Sequence, residues 1–232
     1  MTPGRLIDAT PVRDEWWLIR IAWTDAPPAP GQWLWFEWGG QRVCLPVRDA
    51  NACEGWVAGI LPATHLPDGL HPGALLQVSA LQGQPISIDT TETLLIVGEG
   101  PGIGPAIAVA ESHPEQTRLV LVGSGHGIPG RLVPSRFFIP PLADVAIAGL
   151  SNLEALGVPS RIALTNDDRP GVHEGPLVEL LSRYLSDTPA DRRGMLRLIA
   201  VGPWRSLQSV HQGLAASTGA LTRVELPIAP AP

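Results

Sequence analysis

The chain has 232 residues, of which 44% are hydrophobic and 16% charged, a globular composition with enough residues for one sizeable core or two smaller ones. Its 25 glycines and 25 prolines indicate many turns but fall short of the content typical of a disordered chain. The net charge is −6, and all 16 basic residues are arginines scattered along the sequence, which disfavours nucleic acid as a partner.

The cysteines and the N-terminus indicate a cellular compartment. Cys44 and Cys53 are too few and too far apart for a four-ligand zinc or iron–sulfur site, and they provide no secretory disulfide framework. The N-terminus carries charges and lacks an apolar run of signal-peptide length, and no later run is long enough to span a bilayer. We therefore expect a protein of the reducing cytoplasm, without membrane insertion and without an iron–sulfur cluster.

Residues 1–90 are predicted to form one domain, an antiparallel β-barrel. They contain seven of the eight tryptophans and short apolar runs separated by turn residues, at 15–23, 32–38, 43–47, 55–61 and 74–80. In the second run Trp33 and Trp35 alternate with Leu34 and Phe36, so both faces of that strand are expected to be covered. A stacking platform for bases is the alternative. The lack of arginine between the rings favours packing in a core or against a bound cofactor ring.

Residues 91–232 are predicted to form a second domain with a doubly wound parallel α/β sheet. Continuous apolar runs typical of strands buried on both faces occur at 94–97, 119–122, 145–148, 162–164 and 198–201. Helical patterns lie between or after some of them, at 106–111, 176–185 and 207–216. Strands that alternate with helices predict this architecture.

A glycine-rich segment lies where the first of these strands should pass into a helix. It contains Gly98, Gly100, Gly102 and Gly104 and ends at Pro105, which suits the first position of a helix. Glycines allow a backbone to approach a diphosphate closely, and a helix start attracts the anion. The match to the dinucleotide fingerprint is incomplete, because proline occupies its sixth position. A tight turn without a ligand is the alternative.

Four further motifs accompany this segment in a defined order. They are Pro30-Gly31-Gln32 before an aromatic strand, Pro72-Gly73 with residues 79–86, Thr165-Asn166-Asp167-Asp168 with Gly175, and Val201-Gly202-Pro203-Trp204. With a barrel that precedes the glycine turn, this order resembles the ferredoxin–NADP reductase superfamily, in which a flavin-binding barrel precedes a nicotinamide-binding domain. The branch that it resembles most is the electron-transfer subunit of the heterodimeric dihydroorotate dehydrogenases.

The resemblance implies FAD bound at the barrel. The superfamily's flavin motif is Arg-x-Tyr/Phe-Ser/Thr, and here Arg42 matches the arginine, with Cys44 at the aromatic and Leu45 at the hydroxyl position. A shift by one residue places Val43, Leu45 and Pro46 there instead. Both alignments lose at least two of the three chemical groups, for which backbone amides and tryptophan rings could compensate. Thr64 matches a threonine that supports the flavin phosphate, or is an ordinary turn residue.

The resemblance also implies NAD or NADP bound at the second domain. The residues expected to bind it are Gly98, Gly100, Pro101, Gly102, Ile103, Gly104, Pro105, Ser124, Asn166, Asp167, Gly202, Pro203 and Trp204. Ser124, where a ribose-binding carboxylate is usual, together with Arg131 and Arg136, slightly favours NADP over NAD. Both arginines could equally be solvated surface residues.

Two departures concern the cysteines of the branch. No cysteine follows residue 53, so the two-iron cluster of the dihydroorotate branch cannot form, and Val201 replaces the cysteine before Gly-Pro. Hydride transfer from nicotinamide C4 to flavin N5 requires no acid or base from the chain, and the six histidines are dispersed without metal-ligand spacing.

The resulting hypothesis is a flavin-dependent NAD(P)H oxidoreductase that passes electrons to a separate acceptor protein or subunit. We expect no further domain or cluster within this sequence to accept the electrons. Homo- or hetero-oligomers are compatible with this reading. The alternative is a non-enzymatic relative that has lost its flavin and serves as a nucleotide- or partner-binding module.

Overall fold

The N-terminal part forms a single antiparallel sheet in a computed structural model, which describes residues 1–125, 127–203 and 219–227. Its strands are β1 (Thr2–Pro11), β2 (Trp16–Ala22), β3 (Gln32–Trp38), β4 (Gln41–Pro46), β5 (Asp49–Asn51), β6 (Trp56–Pro62), β7 (Leu75–Val78) and β8 (Gln82–Gly83). Their spatial order is β4-β3-β7-β1-β2-β6-β5, with β8 paired to β3.

The sheet curls because its two outermost strands, β4 and β5, follow each other in the sequence. Only residues 47 and 48 separate them, and the Arg48 N–H donates to the Ala58 carbonyl of β6 at 2.9 Å. Inward-facing side chains such as Leu6, Ile19 and Phe36 fill the interior. The predicted antiparallel barrel is therefore confirmed. Strand β1 was not expected, because it buries only one side chain fully and its sequence includes prolines at both ends.

The C-terminal part contains a six-stranded parallel sheet within the described residues. Its strands are β9 (Thr93–Glu99), β10 (Thr117–Ser124), β13 (Ser160–Leu164), β14 (His173–Glu174), β15 (Leu196–Pro203) and β16 (Ala220–Leu226), in the order β14-β13-β10-β9-β15-β16. The short strands β11 (Leu132–Pro134) and β12 (Ala148–Leu150) form a separate antiparallel ribbon. The helices are α1 (Ile103–Ser112), α2 (Ser151–Ala155), α3 (Leu177–Asp187) and α4 (Ala190–Gly194).

Helices cover both faces of this sheet, which confirms the predicted doubly wound architecture. Alternate residues such as Ile96 and Val122 pack with α1 and α2 on one face, whereas Leu95 and Leu121 pack with α3 on the other. The prediction of a strand of the parallel sheet at residues 145–148 was wrong. This segment leads into β12 of the separate ribbon, and Ile147 is more than half exposed. The helix predicted at residues 207–216 lies outside the described residues.

The barrel docks on the α1 face of the parallel sheet. Trp16 and Ile60 of the barrel belong to one buried cluster with Ile103 and Ile107 of α1, which we call the interdomain cluster. Polar contacts also cross the boundary, such as the ion pair between Arg48 and Glu111 at 3.1 Å. The boundary predicted at residue 90 lies between β8 and β9. None of the described helices has the length and apolar character needed to cross a bilayer.

Candidate functional site

The glycine-rich segment lies at the point where the strand order of the parallel sheet reverses. The chain leaves β9 through a 3-10 turn at Gly100–Gly102 and α1 to reach β10 on one side, and β15 later returns on the other side of β9. Open α/β sheets bind ligands at this reversal, outside the carboxyl ends of the strands. The predicted phosphate-binding segment therefore occupies the position where the fold itself favours a ligand.

The glycines of this segment have different roles. A Cβ on Gly102 would lie 2.2 Å from the Val201 carbonyl oxygen of β15, and a Cβ on Gly98 would lie 2.6 Å from Cβ of Ala106. Gly102 therefore allows the turn to pack against the backbone of β15, and Gly98 allows α1 to pack against β9. Gly100 has φ +53° and no atom within 4 Å of its Cβ position. Gly100 is thus the residue of the turn that combines a left-handed backbone with open space in front of it.

The start of α1 faces the barrel. Ile103, Gly104 and Pro105 are buried, and the Cβ position of Gly104 is 3.6 to 3.7 Å from atoms of Arg48 and Ile60. The Ile103 N–H is already bonded to the Gly100 carbonyl, and Pro105 has no N–H to offer. The side of the turn that is open to a diphosphate is consequently at Gly100 and Pro101, rather than at the buried helix start.

Other predicted nucleotide-binding residues converge on the same carboxyl edge. Ser124 ends β10, and its carbonyl accepts a hydrogen bond of 3.2 Å from the Thr165 N–H after β13. The exposed Asn166 follows, with its Nδ2 atom 3.6 Å from the Cβ position of Gly125. Gly202 and Pro203 end β15 beside the turn. Trp204 lies outside the described residues.

An ion-pair cluster at this edge was not predicted from the sequence. Asp14, in the turn between β1 and β2, pairs with Arg169, and Arg169 also contacts Asp167 at 2.6 Å. Burial raises the pKa of Asp14, but its hydrogen bonds with Arg169 and the Ile128 N–H outweigh burial and lower that pKa overall. The only sequence signal for the cluster is the charged stretch Arg13-Asp14-Glu15 between two apolar strands, in which Asp14 and Glu15 have positive φ.

Arg136, which the sequence analysis placed among the residues that favour NADP, lies far from Ser124 and is bonded to other residues. Arg136 donates from its guanidinium to the Glu154 carbonyl at 2.6 Å, and Glu154 packs near Ser160 at the amino end of β13. Ser124 ends β10 at the opposite, carboxyl edge of the sheet. Arg136 is therefore engaged elsewhere and is not a free cation beside Ser124.

The outer face of β3 and β4 contains the residues aligned with the flavin motif. Cross-strand pairs place Arg42, Cys44 and Pro46 on this face, opposite Glu37, Trp35 and Trp33 respectively. Val43 and Leu45 point into the barrel core. The structure thus favours the alignment that starts at Arg42, because the shifted one would put two of its three side chains inside the barrel. Leu45 can contribute only backbone to a ligand.

The side chains on this outer face are closely packed. Trp35 is 8% exposed and Cys44 is 9% exposed. Burial raises the pKa of the Cys44 thiol to about 12, so the thiol is neutral at physiological pH. The Arg42 guanidinium lies over the Trp35 ring at 4.5 Å from its centroid and forms no ion pair with any described residue. Arg42 is thus a cation available to an anionic ligand.

Thr64 lies towards the same end of the barrel as Arg42. It is exposed in the 3-10 turn Ala63–His65 that follows β6. The Cβ position of Gly59 in β6 is 2.4 Å from the Pro46 carbonyl of β4, so the two strands lie side by side at this point. Thr64 follows Gly59 along the chain, and Arg42 precedes Pro46 in β4. An exposed hydroxyl and a free guanidinium at one end of a barrel are donors of the kind that bind a diphosphate.

The donors at this site fit FAD in kind. Arg42 and Thr64 offer a charge and a hydroxyl to phosphate, and Nε1 of Trp33 is buried without a hydrogen-bond partner among the described residues. Across the interface, no atom lies within 4 Å of the Cβ position of Gly100, so the turn is open on that side. The described residues include no group of three or more His, Cys, Asp or Glu side chains that could hold a metal ion.

Solved structures share this architecture. Amycolatopsis cytochrome P450 reductase GcoB is 14% identical, with 98% of this chain and 70% of that chain covered and a TM-score of 0.70. The flavohaem-like FAD/NAD-binding domain of nitric oxide dioxygenase from Vibrio cholerae is 13% identical, with 98% and 99% covered and a TM-score of 0.68. The chain shares the fold of both structures. An NADH-dependent reduced ferredoxin–NADP oxidoreductase is 15% identical over 95% and 75% of the two chains, with a TM-score of 0.66.

The predicted fold, an antiparallel barrel followed by a doubly wound parallel sheet, is therefore confirmed by structural similarity. No protein-family profile matches the chain, and the curated proteins include no match by sequence. The closer relation to the dihydroorotate branch stays a prediction.

Proposed function

We propose that this protein is an electron-transfer reductase that passes electrons from a nicotinamide cofactor through FAD to a separate acceptor protein. The observation that carries the proposal is the position of the glycine turn. It lies at the strand-order reversal of the parallel sheet and directly against β4 and β6 of the barrel. Two potential binding walls thus meet at one domain interface, as hydride transfer between two rings requires.

Each wall has residues for one cofactor. On the barrel, Arg42 and Thr64 would bind the FAD phosphates, and the outer face of β3 and β4 would hold the ring. On the parallel sheet, the Gly100 turn would bind the nicotinamide dinucleotide, with Asn166 at the same carboxyl edge. When bound, FAD accepts a hydride and releases electrons singly, so the chain has to position the two rings and exclude water.

The similar structures support a separate acceptor. One of them is named a cytochrome P450 reductase and another a ferredoxin–NADP oxidoreductase, names that describe electron exchange with a partner protein. We extend this arrangement to the present chain as part of the proposal, together with the expected cytoplasmic location.

One observation favours a second candidate, a nucleotide- or partner-binding module without flavin. Trp35 of β3 and Cys44 of β4 are each more than nine-tenths buried by the protein alone, although the flavin ring would be expected to lie on the outer face that these strands share. In this candidate the barrel wall is closed and only the Gly100 turn binds a nucleotide.

Reconstitution with FAD separates the two candidates. Purified protein is incubated with FAD, passed through a desalting column, and titrated anaerobically with NADH and with NADPH while flavin absorbance is recorded. A retained flavin that bleaches with either nucleotide is the expected result. A protein that retains no flavin, yet shows saturable quenching of tryptophan fluorescence by NADH or NADPH, would overturn the reductase proposal in favour of the binding module.

A further inference from the structure

The loop that follows β10 lies beside the glycine turn, at the carboxyl edge of the parallel sheet. We call residues 124–128 the β10 loop. Gly123 of β10 is paired with Glu99 of β9, so the two neighbouring strands end at the same level. The Cβ position of Gly125 is 3.4 Å from Oγ1 of Thr165, which follows β13. In doubly wound sheets the adenosine ribose of a bound dinucleotide lies at the end of the second strand, where a nearby carboxylate binds the 2′-hydroxyl of NAD or an arginine binds the 2′-phosphate of NADP. The charges around the β10 loop therefore bear on the choice between the two nucleotides.

The barrel reaches the β10 loop through Asp14. The Cβ position of Gly127 is 2.6 Å from Cβ of Asp14, and Oδ2 of Asp14 accepts a hydrogen bond of 3.4 Å from the Ile128 N–H. Nε1 of Trp16, at the start of β2, donates to the Gly127 carbonyl at 3.2 Å. The turn between β1 and β2 is thus bonded to this loop, and it brings a carboxylate of the barrel to the carboxyl edge of the other domain.

Two carboxylates hold Arg169, which lies at the same edge. Its Nη1 contacts Asp14, and its Nε is 2.6 Å from Oδ2 of Asp167. Hydrogen bonding to Asp14 raises the pKa of Arg169, whereas for Asp14 the hydrogen bonds outweigh burial and lower the pKa. All three groups are therefore charged at neutral pH. Nη1 and Nε of Arg169 donate to carboxylates of the protein, so they are not directed towards a ligand phosphate.

The remaining charges of the two turns that meet here are also mainly negative. Four carboxylates stand against two guanidiniums, namely Asp14, Glu15, Asp167 and Asp168 against Arg13 and Arg169. A ribose hydroxyl can donate a hydrogen bond to a carboxylate. A 2′-phosphate carries a charge of about −2 and would be repelled.

The other arginines considered for a 2′-phosphate lie elsewhere. Arg136 is bonded to Glu154, as described above. The Arg131 carbonyl accepts a hydrogen bond of 2.8 Å from the Ser151 N–H. The preceding N–H, that of Leu150, bonds to Oγ of Ser160 at the amino end of β13. The backbone of Arg131 is thus beside the amino end of the sheet, whereas the β10 loop is at the carboxyl end.

We propose that Asp14, a residue of the barrel, makes this protein selective for NADH over NADPH. Together with Asp167 it binds the guanidinium of Arg169 and leaves negative charge where the 2′-phosphate of NADPH would lie. The inference rests on the proposed function, because it requires a dinucleotide at the Gly100 turn. The glycine turn and the strand-order reversal place that nucleotide, and the carboxylates determine only which nucleotide is bound. Asp14 is then a specificity-determining residue that one domain supplies to the nucleotide site of the other.

Calorimetric titration with NADH and with NADPH tests the inference, since the two nucleotides differ only in the 2′-phosphate. We expect the wild-type protein to bind NADH at least about tenfold more tightly than NADPH. Asp14→Asn and Asp167→Asn each remove one carboxylate from Arg169. Each should tighten NADPH binding about three- to tenfold and change NADH binding little. The gain should shrink at high salt, because salt screens charges, whereas a purely structural effect of the substitution would not respond to salt in this way.

The matched control is Asp144→Asn, which removes a carboxylate from another arginine, Arg183 of α3, at 2.5 Å. It should leave both affinities unchanged. Circular dichroism establishes that each variant is folded, and if Asp14→Asn is not folded, Asp167→Asn decides in its place. If the wild-type protein binds NADPH as tightly as NADH, or if a folded Asp14→Asn gains no affinity for NADPH, the inference is wrong while the proposed function stands. If the wild-type protein binds neither nucleotide, both are overturned.

Discussion

The glycine turn of the parallel sheet presents backbone to the domain interface, whereas β4 of the barrel presents side chains. Gly102 must lack a side chain, because the Val201 carbonyl oxygen lies 2.2 Å from its Cβ position. On the barrel wall the ligand-binding groups would be the guanidinium of Arg42 in β4 and the rings of Trp33 and Trp35 in β3. One wall therefore depends on the absence of side chains and the other on their chemistry.

This difference explains why the two walls resemble the superfamily's motifs to different extents. A backbone site accepts only glycine at its close contacts, so its sequence retains a recognisable spacing. A site built from side chains can move a function from one residue to another, provided that the new donor reaches the same ligand atom. In β4 Arg42 keeps the charge of the motif, whereas Cys44 and Leu45 occupy its aromatic and hydroxyl positions.

Gly102→Ala is expected to have the largest effect, because the new methyl group meets backbone that cannot move aside. We expect the free energy of unfolding to fall by about 2–3 kcal/mol, measured by urea denaturation. Gly194→Ala, in α4 with open space around its Cβ position, is the control and should be neutral or slightly stabilising. Equal stability of the two variants would show that the close contact of the turn with β15 is not a constraint.

Gly100→Asp tests the open side of the turn. The residue has positive φ and free space, so aspartate fits there at a modest backbone cost, and its charge would repel a bound diphosphate. We expect about tenfold weaker binding of NADH or NADPH, measured by tryptophan fluorescence. Gly157→Asp is the control, with φ +83° and equally open space after α2. Unchanged nucleotide affinity in Gly100→Asp would argue against a diphosphate at this turn.

Arg42→Gln probes the side-chain wall and should affect FAD alone. Loss of a charge-assisted bond to phosphate is expected to weaken FAD binding about tenfold without a change in nicotinamide affinity. Arg20→Gln is the matched control, because the Arg20 guanidinium also lies over a tryptophan of the barrel, Trp56, at 5.3 Å from the ring centroid. If both variants bind FAD as the wild-type protein does, Arg42 is not a flavin ligand.

Much of the fold could be predicted from the sequence, since it depends on local patterns. The alternation in β3, the apolar runs of the parallel sheet and the glycine turn all identify their elements correctly. Strand β1 could not be recognised because Leu6 is its only fully buried residue and pairing with β2 and β7 stabilises it. Local sequence has no information on such non-local pairing.

The candidate site was predictable only in part for the same reason. The glycine turn and Arg42 follow from motifs. In contrast, the pairing of Asp14 with Arg169 joins residues 155 positions apart, and Gly83 of β8 packs against the Trp33 ring from another strand. Contacts between distant segments are set by the tertiary fold, so no short motif predicts them.

The smallest expected effect concerns the ion pair by which the barrel contacts the carboxyl edge of the sheet. The pKa of Asp14 is lowered in the folded protein, so its interaction with Arg169 stabilises the protein above the unfolded-state pKa and is lost as the pH falls through the folded-state pKa. Asp14→Asn should therefore cost about 1 kcal/mol at neutral pH and make stability less dependent on pH in the acidic range. Urea denaturation of both proteins at neutral and acidic pH measures this.

Because the backbone contact at Gly102 does not titrate, Gly102→Ala should keep the acid dependence of the wild-type protein. If Asp14→Asn keeps that dependence as well, the side-chain contact does not contribute to the acid response of the interface.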